Sequence, residues 1–169
     1  DAYYSSLHKW LLAPAGNGLL YIRADRMSEI WSTIASYNWK NDKDHGFRLM
    51  QNGTGNPSLL VGLDASIAFY HTIGAQRWLD RIKYLGDYLR QQLITIDRVT
   101  IYSPTHTDMC AGITTYSIEG MTGPQLQKTL WERERLQPRS VGKEYLRHSV
   151  HIYNNEDEID RTIKVLHTL

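Results

Sequence analysis

The chain has 169 residues, of which 41% are hydrophobic and 22% are charged, and its formal net charge at pH 7 is +1. This composition is typical of globular proteins, and the length suffices for a hydrophobic core. Lysine and arginine are scattered along the sequence, so it offers neither the basic stripe of a nucleic-acid module nor a basic patch for an acidic membrane surface. These two classes of partner are therefore not expected.

The sequence also bears on the compartment. No apolar run reaches the length of a membrane span, and no signal peptide opens the chain. The single cysteine, Cys110, cannot form an internal disulfide and suits a reducing compartment. We therefore predict a cytoplasmic protein. Because the chain starts at Asp1, almost inside a predicted strand, we also expect that an upstream part is missing.

The first twenty-two residues predict two strands joined by a turn that carries a lysine. Ala2–Ser6 is rich in tyrosine and serine, and Gly18–Ile22 is mostly apolar, while proline and glycine between them break any helix. Lys9 lies at the exit of the first strand among apolar neighbours. Burial there would lower the pKa of its amine and make it a nucleophile. The alternative is a lysine that extends from the strand end into solvent.

Polar groups next to Lys9 suit an anion. Ser6 and His8 supply hydrogen-bonding side chains, and the turn at Gly16–Gly18 can present free backbone N–H groups to a phosphate. The alternative is that His8 is an ordinary polar residue of the turn. The spacing alone leaves both interpretations open.

The middle of the chain predicts a loop followed by two helices. A short helix near Arg26–Ile30 opens a long polar and aromatic segment, and Pro57 is suited to the first position of the next helix, with Asn56 as its N-cap. Gly74 separates that helix from a second one. Each has an apolar stripe that we expect to lie in the core. The stripes are Leu60, Leu63, Ile67, Tyr70 and Ile73, and then Trp78, Ile82, Leu85, Leu89 and Leu93.

Thr54 lies in a glycine-rich cluster directly ahead of the first of these helices. The cluster can be a helix cap and nothing more. Alternatively, its hydroxyl and the free N–H groups of the helix start can bind an anion. Both interpretations stay open.

The last third of the chain alternates strands and helices, which predicts a small α/β domain. The strands are expected at Val99–Tyr102, Gly112–Ser117, Leu136–Val141 and Tyr145–Ile152; the helices are expected after Thr122, with Leu126 and Leu130 facing inward, and after Asn154, with Ile159, Ile163 and Leu166 as its apolar stripe. We predict a first domain over residues 1–74 and a second over residues 75–169. His106, Asp108 and Cys110 alternate as if on one strand face, but two-residue spacing without a second cluster is a weak zinc signal, and no metal is predicted.

Arg147 is the second place where chemistry is expected. Apolar residues alternate with it along the predicted strand, so its side chain can face a cleft. A guanidinium matches a carboxylate bidentately, which would orient an amino-acid substrate. The alternative is an ion pair at the surface or at an interface.

Three segments resemble segments of the class V aminotransferase family. The members of this family are fold-type-I enzymes that use pyridoxal phosphate (PLP). Ser-x-His-Lys-Trp-Leu followed by Pro-x-Gly-x-Gly-x-Leu-Tyr is similar to the cofactor-lysine segment and is closest to the isopenicillin N epimerase-like branch. Gly-Thr-x-Asn before a long helix and Arg-x-Ser-x-x-x-Tyr-Asn before an acidic helix start are similar to two later motifs. The three occur in the family's order.

The resemblance implies a fold, a cofactor and roles for five residues. The chain would be the C-terminal portion of a PLP-dependent α/β fold, comprising the end of the large cofactor-binding domain and the small C-terminal domain. Lys9 would form the internal aldimine, Ser6 and His8 would bind the cofactor phosphate, and Arg147 would bind the substrate α-carboxylate. Thr54 would reach the cofactor phosphate of a partner subunit, which implies a homodimer with shared active sites.

The reaction stays open among epimerisation, transamination and β-elimination on an amino acid. A cysteine desulfurase of this family needs a nucleophilic cysteine before the arginine motif, and Arg139–Tyr145 contains none. The other possibility is a non-catalytic structural or dimerisation module, because the upstream cofactor partners are not in this chain.

Overall fold

The structure is a computed structural model that describes all residues from Asp1 to Leu169. The chain divides into two compact units, Asp1–Thr72 and Ile73–Leu169. Their assignment as a cofactor-binding domain and a C-terminal domain stays a prediction. No individual helix combines the length and the apolar character needed to cross a membrane.

The first unit begins with a two-stranded antiparallel sheet and ends with a long helix. Its elements are β1 (Ala2–Ser6), β2 (Gly18–Ile22), α1 (His45–Met50) and most of α2 (Pro57–Ile73). A 3-10 helix spans Ala24–Glu29, where the sequence predicted a short helix. The two predicted strands are confirmed, with Ala2 opposite Ile22 and Ser6 opposite Gly18.

The segment between β2 and α2 is organised around a buried arginine. The Arg48 guanidinium donates hydrogen bonds to the carbonyl oxygens of Met27 and Ile30, at 3.2 and 2.7 Å, and lies 4.8 Å from the ring centroid of Trp31. These bonds satisfy the carbonyls at the end of the 3-10 helix. The helix α1 that carries Arg48 was not predicted from the sequence.

The expected core stripe of α2 is wrong. Leu60 and Ile67 are 55% and 40% exposed, and Ser66 is the buried residue of the helix. The face of α2 that packs within this unit instead carries small residues, Gly62 and Ser66, which lie against the turn between β1 and β2. A surface of small residues lets the turn approach the helix axis closely, and the remaining residues of the predicted stripe, Leu63, Tyr70 and Ile73, are half-buried.

The second unit is a layer of three helices on one face of a four-stranded antiparallel sheet. The helices are α3 (Ala75–Leu93), α4 (Gly123–Glu134) and α5 (Glu156–Leu166); the strands are β3 (Val99–Ile101), β4 (Ile113–Ile118), β5 (Arg139–Val141) and β6 (Tyr145–Ser149), in the order β3-β4-β6-β5. The predicted alternation of strands and helices is thus confirmed.

The core of the second unit lies between the helices and the sheet. The predicted stripes of α3, α4 and α5 are confirmed as buried, and strand residues complete the core. The fully or nearly fully buried members include Leu85, Leu89, Leu93, Tyr116, Ile118, Leu126, Leu130, Leu146 and Leu166. Thr122 and Asn155 begin α4 and α5 with reciprocal side-chain and backbone hydrogen bonds, as their residue types favour.

The strand expected around His106, Asp108 and Cys110 is wrong. A 3-10 helix spans Thr107–Met109, and the His106 side chain accepts a hydrogen bond from the backbone N–H of Asp108. This local bond turns the chain, so the three side chains do not alternate along one strand face. The chain contains no group of three or more histidine, cysteine, aspartate or glutamate residues placed to hold a metal ion.

Candidate functional site

The turn between β1 and β2 carries the predicted lysine, and backbone hydrogen bonds define its shape. The Leu7 N–H donates to the Asn17 carbonyl at 3.2 Å, and the Ala13 N–H donates to the Leu7 carbonyl at 3.1 Å. Gly16 has φ of +103°, a conformation that glycine adopts without strain. The lysine therefore lies at a strand exit before a glycine-containing turn, as the sequence predicted.

The turn rests on α2 through close contacts. The buried Asn17 side chain donates to the Leu59 carbonyl at 2.9 Å, and the Ser66 hydroxyl lies 3.2 Å from the Leu12 carbonyl. A Cβ added at Gly62 would lie 2.3 Å from Cγ of Pro14, which is closer than non-bonded atoms approach. Helix α2 thus holds one side of the turn in place, and the exposed residues of the turn lie on the other side.

The prediction that Lys9 is desolvated is wrong. Ser6, His8 and Lys9 are exposed, whereas the apolar neighbours Leu7 and Trp10 are partly buried. The apolar residues of the turn face the rest of the unit, and the polar ones face outward. The burial argument for a neutral amine therefore fails, and the alternative of a lysine that extends into solvent describes this chain.

Thr54 lies in an exposed loop before α2. The start of that helix is capped by Asn56, whose side-chain oxygen accepts a hydrogen bond from the Ser58 N–H at 3.0 Å. Asn56 is thus the capping residue, as predicted. Because Asn56 fills that role, the Thr54 hydroxyl remains exposed and available to a ligand.

Arg147 lies in the middle of β6, on the sheet face opposite the helices. Its neighbour in sequence, Leu146, is fully buried on the core side, and its cross-strand partners are Thr115 on β4 and Arg139 on β5. The Nε atom of Arg147 is buried and has no hydrogen-bond partner. An unsatisfied buried donor is costly, and the chain itself supplies no acceptor for this atom.

His148, the next residue on β6, faces the core side and was not singled out in the sequence. Its Nε2 lies 3.1 Å from the hydroxyl of Tyr116, and the two rings stack. Burial lowers the pKa of His148 to about 4, so the imidazole is neutral at pH 7. The ring lines a cavity of about 210 Å³ together with Arg135, Asn154 and Glu158.

Arg139 and two tyrosines were also missed. Arg139 lies directly opposite Arg147 in the β5–β6 pair. The rings of Tyr102 and Tyr145 meet edge to face, 4.8 Å between centroids, and Tyr145 shares the strand face of Arg147 because the two are two residues apart. The alternation of side chains along Tyr145–Ser149 predicts which sheet face Tyr145 occupies. The pairing of Arg147 with Arg139 cannot be predicted in this way, because it depends on the register of the β5–β6 hairpin.

Comparisons with known proteins match the chain to one family over almost its whole length. The model of the aminotransferase class-V family matches residues 1–162. Isopenicillin N epimerase of Streptomyces clavuligerus is 29% identical over 100% of this chain and 47% of its own length. A probable hercynylcysteine sulfoxide lyase of Mycobacterium tuberculosis is 24% identical over 98% of this chain and 44% of its own.

Solved structures agree in fold. The cystine C-S lyase C-DES in complex with cysteine persulfide has a TM-score of 0.83 and 23% identity, over 99% of this chain and 46% of that one. Cysteine desulfurase from Thermococcus onnurineus gives the same TM-score and coverage. The chain thus spans about half the length of the relatives it matches. The predicted fold, a C-terminal portion of the PLP-dependent α/β fold, is confirmed.

Proposed function

Because the chain belongs to the aminotransferase class-V family, we propose that it is part of a PLP-dependent enzyme that acts on an amino acid as an epimerase, aminotransferase or lyase. Its relatives include isopenicillin N epimerases and a probable sulfoxide lyase. A mutant of the similar cystine lyase C-DES carries glycine covalently linked to its PLP. These relatives support an amino acid as the substrate class.

The residues of the β1–β2 turn fit the cofactor chemically. Lys9 offers a primary amine that makes no ion pair within the chain, and Ser6 and His8 offer exposed polar groups within three residues of it. In this proposal, Lys9 binds the cofactor aldehyde and later carries a proton to or from Cα of the substrate, while Ser6 and His8 bind the phosphate. The bound cofactor supplies the electron sink for the reaction.

The buried Nε of Arg147 is the observation that carries the substrate assignment. A guanidinium with an unpaired buried donor gains most from an acceptor that is charged and planar, and a carboxylate meets both conditions. Within this chain Arg147 forms no ion pair, which removes the surface ion pair that the sequence left open and leaves an ion pair at an interface as the alternative to a substrate. We assign Arg147 to the α-carboxylate of the amino acid.

Thr54 extends the proposal to the quaternary structure. Its exposed hydroxyl precedes a helix start, where backbone N–H groups also favour anions. We propose that it binds the cofactor phosphate of a partner subunit, so that the full-length protein is a homodimer with shared active sites.

Substitution of Lys9 tests the proposed function. In full-length protein mixed with PLP, we expect wild type to show a visible absorbance band of lysine-bound cofactor that Lys9→Ala lacks. The physical reason is that alanine has no amine to join the cofactor aldehyde. Absorbance spectra after removal of free PLP by gel filtration measure the difference.

The matched control is Lys43→Ala. Lys43 is also exposed in the first unit but lies in the loop before α1, away from the turn sequence. We expect its spectrum to equal that of wild type. A band that persists in Lys9→Ala would remove Lys9 from its role, and the absence of any band in wild type would favour the non-catalytic module.

A further inference from the structure

Two arginines face each other on the surface of the sheet that carries the proposed carboxylate site. Arg139 on β5 and Arg147 on β6 are direct cross-strand partners in an antiparallel pair. Residues so placed have Cβ atoms roughly 4.5–5.5 Å apart on one face, and like charges there destabilise the sheet. The arrangement therefore calls for a compensating negative charge.

No ion pair within the chain supplies this charge. Ion pairs in this unit involve other arginines, such as Arg81 with Glu156 and Arg161 with Asp157, and neither Arg139 nor Arg147 takes part in one. The buried Nε of Arg147 lacks even a neutral acceptor. Two positive charges are thus held side by side without an internal partner.

The surroundings of the pair suit a small organic anion. Thr115 is the cross-strand neighbour of Arg147 on the other side and offers a hydroxyl on the same face. The Tyr102–Tyr145 ring pair borders the face, and the Tyr102 hydroxyl lies 3.2 Å from that of Ser117. The arginines are therefore flanked by hydroxyls and aromatic rings, and the nearby Glu144 carboxylate acts on the Tyr145 hydroxyl, whose pKa it raises, and forms no ion pair with either arginine.

We infer that the substrate is an amino acid with a second carboxylate, which Arg139 binds while Arg147 binds the α-carboxylate. This inference rests on the proposed function. One carboxylate saturates one guanidinium fork and cancels one charge. A dicarboxylate saturates both forks and cancels both charges. Arg139 is the more exposed of the two and lies on the edge strand, so it serves the distal group.

Binding to the full-length protein without PLP tests the inference apart from the cofactor chemistry. Glutarate and butyrate serve as probes, since they are a dicarboxylate and a monocarboxylate that lack an amine and cannot react. We expect Arg139→Gln to weaken glutarate binding roughly tenfold, as for one lost charge-assisted bond, and to leave butyrate binding unchanged. Arg147→Gln is expected to weaken both. Ligand-observed NMR titration measures these affinities.

The control is Arg133→Gln, an exposed arginine on α4 whose partner is the Thr168 hydroxyl, and both affinities should stay at wild-type values. The melting temperature of Arg139→Gln without ligand is expected to equal or exceed that of wild type, because a like-charge contact is removed. Equal losses for glutarate and butyrate in Arg139→Gln, or no loss for either, would overturn the inference. A failed Lys9 experiment with intact glutarate selectivity would overturn only the cofactor role.

Discussion

A half-buried imidazole on β6 links the stability of the second unit to pH. The pKa of His148 is about 4 in the folded chain, because burial disfavours its charged form. Its ordinary value is about 6.5. As pH falls from 6.5 to 4, the unfolded chain takes up a proton that the folded chain does not. The free energy of unfolding therefore decreases as pH falls through this window. The contribution of the neutral imidazole is fully present only above the window.

His148→Gln is expected to remove that pH dependence. Between pH 7 and 4.5 we expect wild type to lose on the order of 2 kcal/mol of unfolding free energy more than the variant. Chemical denaturation of the full-length protein at the two pH values measures the loss. Tyr116→Phe keeps the imidazole and serves as the control, with the wild-type dependence retained. Equal losses of unfolding free energy in wild type and His148→Gln would contradict the assignment of this pH dependence to His148.

Single residues show what the sequence can and cannot predict about the site. The turn carrying Lys9 followed from proline and glycine between two predicted strands, because these residues act locally. The exposure of Lys9 did not follow, since burial depends on what surrounds the turn. Arg147 was found by its motif, whereas Arg139 was missed because its pairing is set by the register of the β5–β6 hairpin.

At the scale of elements, a glycine on α2 fixes the position of the Lys9 turn. We expect Gly62→Ala to displace Pro14 and with it the turn, because the added methyl group would lie 2.3 Å from the proline ring. The variant should bind PLP several-fold more weakly and lose about 1–3 kcal/mol of stability, as overpacked sites do. Spectroscopic titration with PLP and thermal unfolding of the full-length protein measure both effects.

Gly46→Ala is the matched control, because an added Cβ in α1 meets its nearest atom at 3.6 Å, an ordinary contact. We expect it to be neutral or to gain up to about 1 kcal/mol from helix propensity. If Gly62→Ala behaved like Gly46→Ala, close packing of the helix on the turn would not position the lysine.

The two long helices differ in how well their sequence patterns predict their packing. The apolar stripe of α3 is buried because a sheet and α5 lie against it, so periodicity and structure agree. In α2 the packed face is the one with Gly62 and Ser66, which a search for apolar periodicity passes over. Hydrophobic patterning thus finds these two long helices but identifies the contact face only where that contact is itself apolar.

At the scale of the whole molecule, the proposed dimer shares its sites, and mixed dimers of two variants test this. We expect Thr54→Val to lower PLP affinity roughly tenfold, by loss of a hydrogen bond to a charged group. Lys9→Ala removes the attachment point. If Thr54 serves the partner's site, a mixed dimer contains one site with both substitutions and one with neither. At a PLP concentration that saturates only wild-type sites, half of the sites in the mixed dimer are then expected to show the absorbance band.

The same mixed dimer gives a different result if Thr54 acts within its own subunit. Each site then carries one substitution, so no wild-type site forms and absorbance stays at the average of the two parent proteins. The mixed species is isolated with two different affinity tags, and sedimentation velocity verifies that it is a dimer. Thr72→Val, which removes the hydroxyl of an exposed threonine at the other end of α2, controls for a general effect of the substitution. Restoration requires both a dimer and a phosphate contact made across it.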